Sequence, residues 1–123
     1  LEVEKGSEVT YIKRLRFVGG QPISIHRSYL PTELCPSLSA DSLESEQLCV
    51  VVEREFGMKA ATVSESLESV LATAEEAELL GIDRSYPLLL LEDINKTVDG
   101  KIFEYTKVLF RGDKIKLHFE YQA

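Results

Sequence analysis

Polar and apolar residues alternate over two strand-length runs near the carboxyl end of the chain, between Asp99 and Tyr121. The dipeptides Asp99-Gly100 and Gly112-Asp113 are typical of turns, so the pattern predicts an antiparallel meander. Successive side chains of a strand point to opposite sides. One face of the first run is therefore predicted to carry its alternate residues, which are Ile102, Glu104, Thr106, Val108 and Phe110.

Glu104 is the acidic residue on that otherwise mostly apolar face. A carboxylate in apolar surroundings is unfavourable unless it is paired, and a ligand in a pocket is one such partner. The alternative is that this face is simply exposed to water, and the pattern alone does not decide between the two.

Residues 9–18 also alternate and predict a first strand, with Arg14 and Arg16 on one of its faces. A glycine-containing loop then leads into a second strand over residues 22–30. The two strands are predicted to form a hairpin.

Two registers of this hairpin are open. A two-residue Gly-Gly turn would place Arg16 opposite Ile23, whereas a three-residue loop places Arg16 opposite Ser24 and Arg14 opposite His26. The three-residue loop gathers the polar groups on one face of the hairpin. We favour it because it leaves a consistent apolar face made of Ile23, Ile25, Tyr29, Leu15 and Phe17.

Helical spacing and end signals predict two helices. The first has Ser45 as its N-cap and ends at Gly57; the second begins with a capping box at Thr73 and Glu76 and ends at Gly81. The alternating residues 62–72 between them are read as a strand, although a helix would also fit.

Residues 87–98 contain a continuous leucine run, which predicts a central strand buried on both faces. The predicted order is strand, strand, helix, strand, helix and three strands. It indicates one α+β domain with a mainly antiparallel, six-stranded sheet flanked by helices.

The charge of the chain limits its partners. The net charge is −7, and phosphate neutralisation needs clustered Lys and Arg, so this chain is not expected to bind nucleic acid by itself. Its 123 residues contain no apolar run of membrane-spanning length and no signal peptide, and a cytoplasmic location is expected.

The cysteines and histidines do not have the spacing of a metal site. Cys35 and Cys49 lie far from His26 and His118, so no zinc site and no cofactor are expected. Two reduced thiols are the default interpretation, and a disulfide between them stays open.

Candidate chemistry is concentrated on the first hairpin. Arg14 and Arg16 point the same way, and a guanidinium group matches a carboxylate or phosphate with two hydrogen bonds. They form either an anion clamp or cross-strand ion pairs with some of the many acids. His26 either bonds an anion and senses pH or is structural. No nucleophile elbow, P-loop or dinucleotide fingerprint is present.

Five segments together resemble a known family. They are YIKRLRFVGGQPISIHRSYLP, EREFG, ATAEEAELLGI, SYPLLLLEDI and GKIFEYTKVLFRGDKIKL. In this order they resemble the UTRA domain, the effector-binding module of bacterial GntR-type transcriptional regulators of the HutC subfamily, over nearly the whole of residues 1–123. The resemblance implies a chorismate-lyase-like fold and a homodimer. It also implies a winged helix-turn-helix domain before Leu1, through which the intact regulator binds operator DNA.

The resemblance also implies a ligand site. In relatives that sense phosphorylated sugars, the arginines matching Arg14 and Arg16 hold the anionic group, and the acid matching Glu104 holds hydroxyls or amides. The chain departs from such relatives at three positions: His26 stands where Glu is frequent, Gln47 falls about where Ser is common, and Phe110 replaces a frequent Tyr. The expectation is therefore an anionic metabolite, and it does not extend to an amino-sugar phosphate.

The leading hypothesis is a non-enzymatic ligand sensor. Its ligand-binding residues are predicted to be Arg14, Arg16, His26, Gln47, Glu104 and Phe110. One alternative is an enzyme resembling chorismate lyase, although fold alone does not carry function. The other is a dimerisation module that binds no ligand.

Overall fold

The computed structural model describes residues 8–34 and 48–112, together with positions 116, 118, 120 and 122. Within this part of the chain, five strands and two helices follow one another in the order strand, strand, helix, strand, helix, strand and strand, which is an α+β arrangement. Their bounds are β1 (Val9–Val18), β2 (Gln21–Pro31), α1 (Leu48–Phe56), β3 (Thr62–Val70), α2 (Ala74–Leu80), β4 (Leu88–Lys96) and β5 (Ile102–Arg111). Neither helix is long and apolar enough to cross a membrane.

The five strands form one antiparallel sheet in the order β1-β2-β5-β4-β3. The antiparallel α+β prediction is confirmed, but the sheet has five strands where six were predicted. The predicted sixth strand, after Gly112, falls largely on residues outside those described. As predicted, β4 is an interior strand, paired with β5 on one side and β3 on the other, although β5 is the middle strand. The predicted burial on both faces was wrong: among the residues of β4 only Leu88 is buried, and the others are half-buried.

The hairpin of β1 and β2 combines features of both predicted registers. Its turn is the two-residue Gly19-Gly20 turn, since Val18 lies opposite Gln21, yet Arg16 lies opposite Ser24 as favoured. The two observations fit together because a bulge after Arg16 leaves Ile23 of β2 as an extra residue. Pro22 sits at this bulge, where its lack of an N–H group does not interrupt the ladder of hydrogen bonds.

The register gives the sheet two distinct faces. The first, here called the arginine face, carries Arg14, His26, Thr106 and Asp93 in neighbouring strands. The second, here called the tyrosine face, carries a ladder of three stacked or tilted rings that crosses β1, β2 and β5, with centroids 5.0 and 5.9 Å apart. Its members are Tyr11, Tyr29 and Tyr105.

Helix α1 covers part of the arginine face. A buried cluster joins Val51 and Val52 of α1 to Leu30 of β2 and Phe103 of β5. A bulge in β5 places Phe103 here, because Lys96 and Asn95 of β4 lie opposite residues 102 and 104 and leave residue 103 as the extra one. The predicted N-cap of this helix, Ser45, lies outside the described residues.

Helix α2 covers the tyrosine face and forms as its sequence predicts. The Thr73 hydroxyl accepts a hydrogen bond from the Glu76 backbone N–H, and the Glu76 carboxylate accepts one from the Thr73 N–H. Gly81 ends the helix with φ +65°, a conformation that favours glycine. The helix buries Ala77 and Leu80 against the sheet.

Candidate functional site

The arginine pair and His26 are neighbours, as the predicted register requires. Arg14 lies directly opposite His26, and Arg16 lies opposite Ser24. Arg14 is half-buried and Arg16 is exposed. The two guanidinium groups therefore sit on one face of β1, one at the edge of the protein interior and the other in solvent.

His26 is held in its neutral form. Its Nε2 lies 3.0 Å from the Ser24 hydroxyl. Burial, the larger cause, and the positive charges of Arg14 and Arg16 together lower the pKa of His26 to about 4. At neutral pH the ring thus adds a donor and an acceptor to this face but no charge.

Glu104 is the most buried charged group of this face, with 6% of its surface exposed. The Thr106 hydroxyl lies 2.6 Å from its Oε2 and donates to it, and the same hydroxyl lies 2.9 Å from the buried Ser28 hydroxyl. The other oxygen, Oε1, is buried without a hydrogen-bond partner within the described part of the chain. The carboxylate is therefore half satisfied and can accept a further donor.

The environment of Glu104 opposes its ionisation. Burial raises the pKa of this carboxyl group, while the hydrogen bond from Thr106, the charge of Arg14 and a hydrogen bond with the Asn95 side chain act in the opposite direction. Arg14 thus acts electrostatically on both His26 and Glu104. The structure brings together three residues that the sequence predicted as one site.

A second carboxylate, Asp93, belongs to the same face and was missed by sequence reasoning. It lies on β4 between Thr106 of β5 and Glu65 of β3. Burial, a hydrogen bond to Glu65 and the charges of Glu65 and Glu104 raise its pKa to about 7. Its Oδ1 is buried and accepts no hydrogen bond from the described residues.

A cavity of about 210 Å³ opens beside Glu104. Its lining comes from the end of α1 and the loop after it, and from β4 and β5. The lining residues are Glu53, Met58, Lys59, Ala60, Asn95, Phe103 and Glu104. The bulge at Phe103 thus helps to shape a cavity that Glu104 also lines.

The two remaining predicted residues differ in outcome. Phe110 is buried at 3% exposure on the arginine face, opposite Ser24 of β2 and Leu89 of β4. It adds a buried apolar side chain to the row that contains Ser24 and Arg16. Gln47 lies outside the described residues, and its predicted role stays a prediction.

The arrangement has opposite electrostatic ends. Guanidinium groups stand on β1, and carboxylates stand on β5 and β4, with the neutral His26 and two hydroxyls between them. Such a face can bind a small molecule that has an anionic group at one end and hydrogen-bond donors at the other. No sequence signal marked Asp93, because the polar residues of β4 follow a leucine run that indicated burial on both sides.

The sequence matches a family model described as the UTRA domain over residues 1–116. It is 32% identical over 108 residues to the HTH-type transcriptional repressor NagR of Bacillus subtilis, a match that covers 88% of this chain and 44% of that protein. The chain therefore spans less than half the length of that curated relative.

Two solved structures of similar chains have the same fold. One is the ligand-binding domain of a putative GntR-family transcriptional regulator from Bordetella bronchiseptica, with a TM-score of 0.86 and 29% identity, covering 100% of this chain and 76% of that one. The other is the effector domain of PhnF from Mycobacterium smegmatis, with a TM-score of 0.90 and 25% identity, covering 98% and 74%.

Proposed function

The chain belongs to the UTRA domain family, and on that premise we propose that it is the effector-binding domain of a GntR-type transcriptional regulator of the HutC subfamily. Its effector is a small anionic metabolite, either a phosphorylated sugar or a carboxylate. The observation that carries this proposal is the arginine face, where the charge of Arg14 acts on both His26 and Glu104, whose Oε1 has no hydrogen-bond partner in the described part of the chain.

The arginine pair supplies the recognition of the anion. A guanidinium group offers paired donors that match two oxygens of a carboxylate or phosphate. Arg16 is exposed and Arg14 is half-buried, so an anion bound between them remains partly accessible to solvent and to salt. His26 can donate to the same anion, and a bound negative charge would raise its lowered pKa.

The carboxylate end supplies specificity for the rest of the ligand. The unpaired oxygens of Glu104 and Asp93 accept hydrogen bonds, so they favour a ligand that carries hydroxyl, amide or amine donors. A ligand without such donors leaves these buried acceptors unsatisfied, at a cost of about 1–3 kcal/mol each. Phe110 offers an apolar surface near the arginine end, in the same row as Arg16 and Ser24.

The regulatory step is a shift in a conformational equilibrium. The domain forms a homodimer, and the intact regulator binds operator DNA through a winged helix-turn-helix domain that precedes this chain. An effector that binds one arrangement of the dimer more tightly favours that arrangement and its spacing of the two DNA-binding domains. A coupling free energy of about 1–3 kcal/mol is typical of such linkage.

A thermal-shift screen against sugar phosphates, carboxylates and amino-acid derivatives tests the proposed ligand class. A ligand at 100 times its Kd stabilises the domain by about 2.7 kcal/mol. For a domain of this size that corresponds to a rise in Tm on the order of 10 °C. We expect such a rise in Tm with one class of anionic compound, either the sugar phosphates or the carboxylates.

The variants Arg14→Ala and Arg16→Ala then test the site, with Lys13→Ala as the matched control. Lys13 lies between the two arginines on β1 but points to the other face, where it is 2.7 Å from Glu75 of α2. We expect each arginine variant to weaken binding of the ligand found in the screen by about tenfold or more, as for a lost charged hydrogen bond. Equal affinity of all three variants and the wild type would show that the arginine face is not the site.

A further inference from the structure

Among the strands that the structure describes, none pairs with the outer edge of β3 at any point along its length. Its nine residues pair with β4 in unbroken register, and eight of them are exposed. Edge strands are commonly protected by charged side chains, especially Lys, by Pro or by a bulge. Thr62–Val70 has no Lys, no Pro and no bulge, and its only charged residues are Glu65 and Glu68.

The exposed apolar residues of this edge lie on one face. Val63 is 50% exposed and Leu67 is 45% exposed, and Leu71, directly after the strand, is 76% exposed. They are spaced four apart, so in an extended chain all three point to the same side. The register places that side on the arginine face, since Val63 lies opposite Asn95, which in turn lies opposite Glu104.

The sequence of β3 is compatible with pairing to itself. In a continuous antiparallel sheet with a two-fold axis, the axis passes through one residue, because opposed residues must point to the same face. An axis at Leu67 places Leu67 opposite its own copy and Val63 opposite Leu71. It also places Glu65 opposite Ser69, whose hydroxyl can donate to the carboxylate.

The other registers near the middle of the strand are less favourable. An axis at Glu65 or at Glu68 places that carboxylate opposite its own copy, and like charges directly opposite are destabilising. An axis at Ser66 places Leu67 opposite Glu65 and leaves no apolar pair. Axes nearer the strand ends pair fewer of its residues.

We propose that β3 pairs antiparallel with β3 of a second copy of this chain across a two-fold axis at Leu67, which joins five strands from each copy into one sheet. This inference rests on the homodimer in the proposed function and names its interface. The occupant is a second copy because one two-fold axis brings the apolar residues of β3 opposite one another and places Glu65 and Glu68 opposite serines, so that no carboxylate lies opposite another.

The interface would adjoin the ligand site through one row of residues. Thr106, Asp93 and Glu65 lie opposite one another in β5, β4 and β3, so the row runs from the hydroxyl bonded to Glu104 to the dimer edge. Only β3 separates Asp93 from the second copy, and only β4 and β3 separate Glu104 from it. The dimer arrangement can respond to binding over this short distance.

Cysteine cross-linking of the full 123-residue chain tests the register, in a background with Cys35→Ser and Cys49→Ser. Directly opposed residues of an antiparallel pair have Cα atoms about 4.5 or 5.5 Å apart, within the range that a disulfide spans. Leu67→Cys is expected to form a disulfide-linked dimer under mild oxidation. Ser66→Cys is the matched control and is expected to form little, because its opposite residue is Glu68 of the second copy.

Charge reversal tests the same contact without a covalent bond. Leu67→Lys and Leu67→Glu each place like charges together at the axis, and each is expected to sediment as a monomer. A mixture of the two is expected to restore a dimer, which shows that both variants are folded. Val18→Lys on β1 changes another exposed residue, 64% exposed, and is expected to leave the dimer intact.

The outcomes separate this inference from the proposed function. A wild-type dimer in which Ser66→Cys cross-links and Leu67→Cys does not would overturn the register. A wild-type dimer that neither cysteine links and neither charge disrupts would overturn the interface but leave the homodimer. A chain that stays monomeric at millimolar concentration would overturn both, whereas ligand binding is measured independently by the thermal-shift screen.

Discussion

Glu104→Gln is expected to stabilise the ligand-free domain, although it removes a charge from a hydrogen-bonded carboxylate. The side chain is 6% exposed, one of its oxygens accepts from Thr106 at 2.6 Å, and the other is buried without a partner in the described chain. Glutamine has nearly the same shape and no charge. The change therefore isolates the effect of the buried negative charge.

Two opposing terms decide the size of the effect. A hydrogen bond to a charged group contributes about 1.5–3 kcal/mol and one between neutral groups about 0.5–1.5, so the bond from Thr106 weakens by about 1 kcal/mol. An incompletely compensated buried charge has a desolvation penalty of several kcal/mol, which the attraction of Arg14 offsets in part. We expect a net gain of about 1–2 kcal/mol, or a Tm higher by about 4–8 °C.

The sign of the pH dependence provides an independent check. Because burial raises the pKa of Glu104 in the folded protein, the folded state holds its proton more tightly than the unfolded chain. Stability is thus greatest at low pH for this group and falls as the pH rises above its ordinary value. The gain from Glu104→Gln is therefore expected to be larger at pH 7.5 than at pH 4.5.

The assay is thermal and urea unfolding of Glu104→Gln, of Thr106→Val and of the double variant. Thr106→Val leaves the carboxylate in place without its donor and is expected to lower stability by about 2 kcal/mol, and by less when Glu104 is already glutamine. Glu78→Gln, on the exposed side of α2, is the control and is expected to change stability by less than about 0.5 kcal/mol. A Tm of Glu104→Gln several degrees below that of the wild type would contradict this prediction and show that the buried carboxylate is fully compensated.

Three further predictions concern local features. Thr73→Ala removes the α2 cap and is expected to lower stability by about 1 kcal/mol in urea unfolding, whereas Thr73→Ser retains most of it. Gly81→Ala forces a side chain into the left-handed region and is expected to lower stability by about 1–2 kcal/mol in the same assay, with Gly81→Asn less affected. For Asp93, whose folded pKa of about 7 exceeds its ordinary value, wild-type Tm is expected to rise from pH 8.5 to pH 6.5, and Asp93→Asn to flatten this rise. The slope stays below about 1.4 kcal/mol per pH unit, because a single carboxyl group differs by at most one bound proton between the folded and unfolded states.

Each of these has a clear contrary result. An unchanged stability of Thr73→Ala would mean that water replaces the cap without loss, and an unchanged Gly81→Ala would mean that the helix ends by another conformation. The window above pH 6.5 is chosen for Asp93 because the lowered pKa of His26 affects stability only below its unfolded value of 6.5. A Tm that rises equally in Asp93→Asn would assign the pH dependence to another group.

The sequence by itself determined the features that depend on near neighbours in the chain. The capping box at Thr73 and the left-handed end at Gly81 follow from contacts within a single turn of helix. Alternation in β1 and β5 placed Arg14 with Arg16 and identified the face that carries Glu104, because the period of a strand is fixed by its backbone.

Tertiary structure decided everything that depends on which strands become neighbours. Asp93 belongs to the site only because β4 pairs with β5. Strand β3 is an edge because no strand within the described residues pairs with its outer side. The two bulges, near Pro22 and at Phe103, likewise shift registers that no local pattern sets. Pairing between distant segments is governed by burial and hydrogen bonding over the whole sheet, and local patterns do not report these.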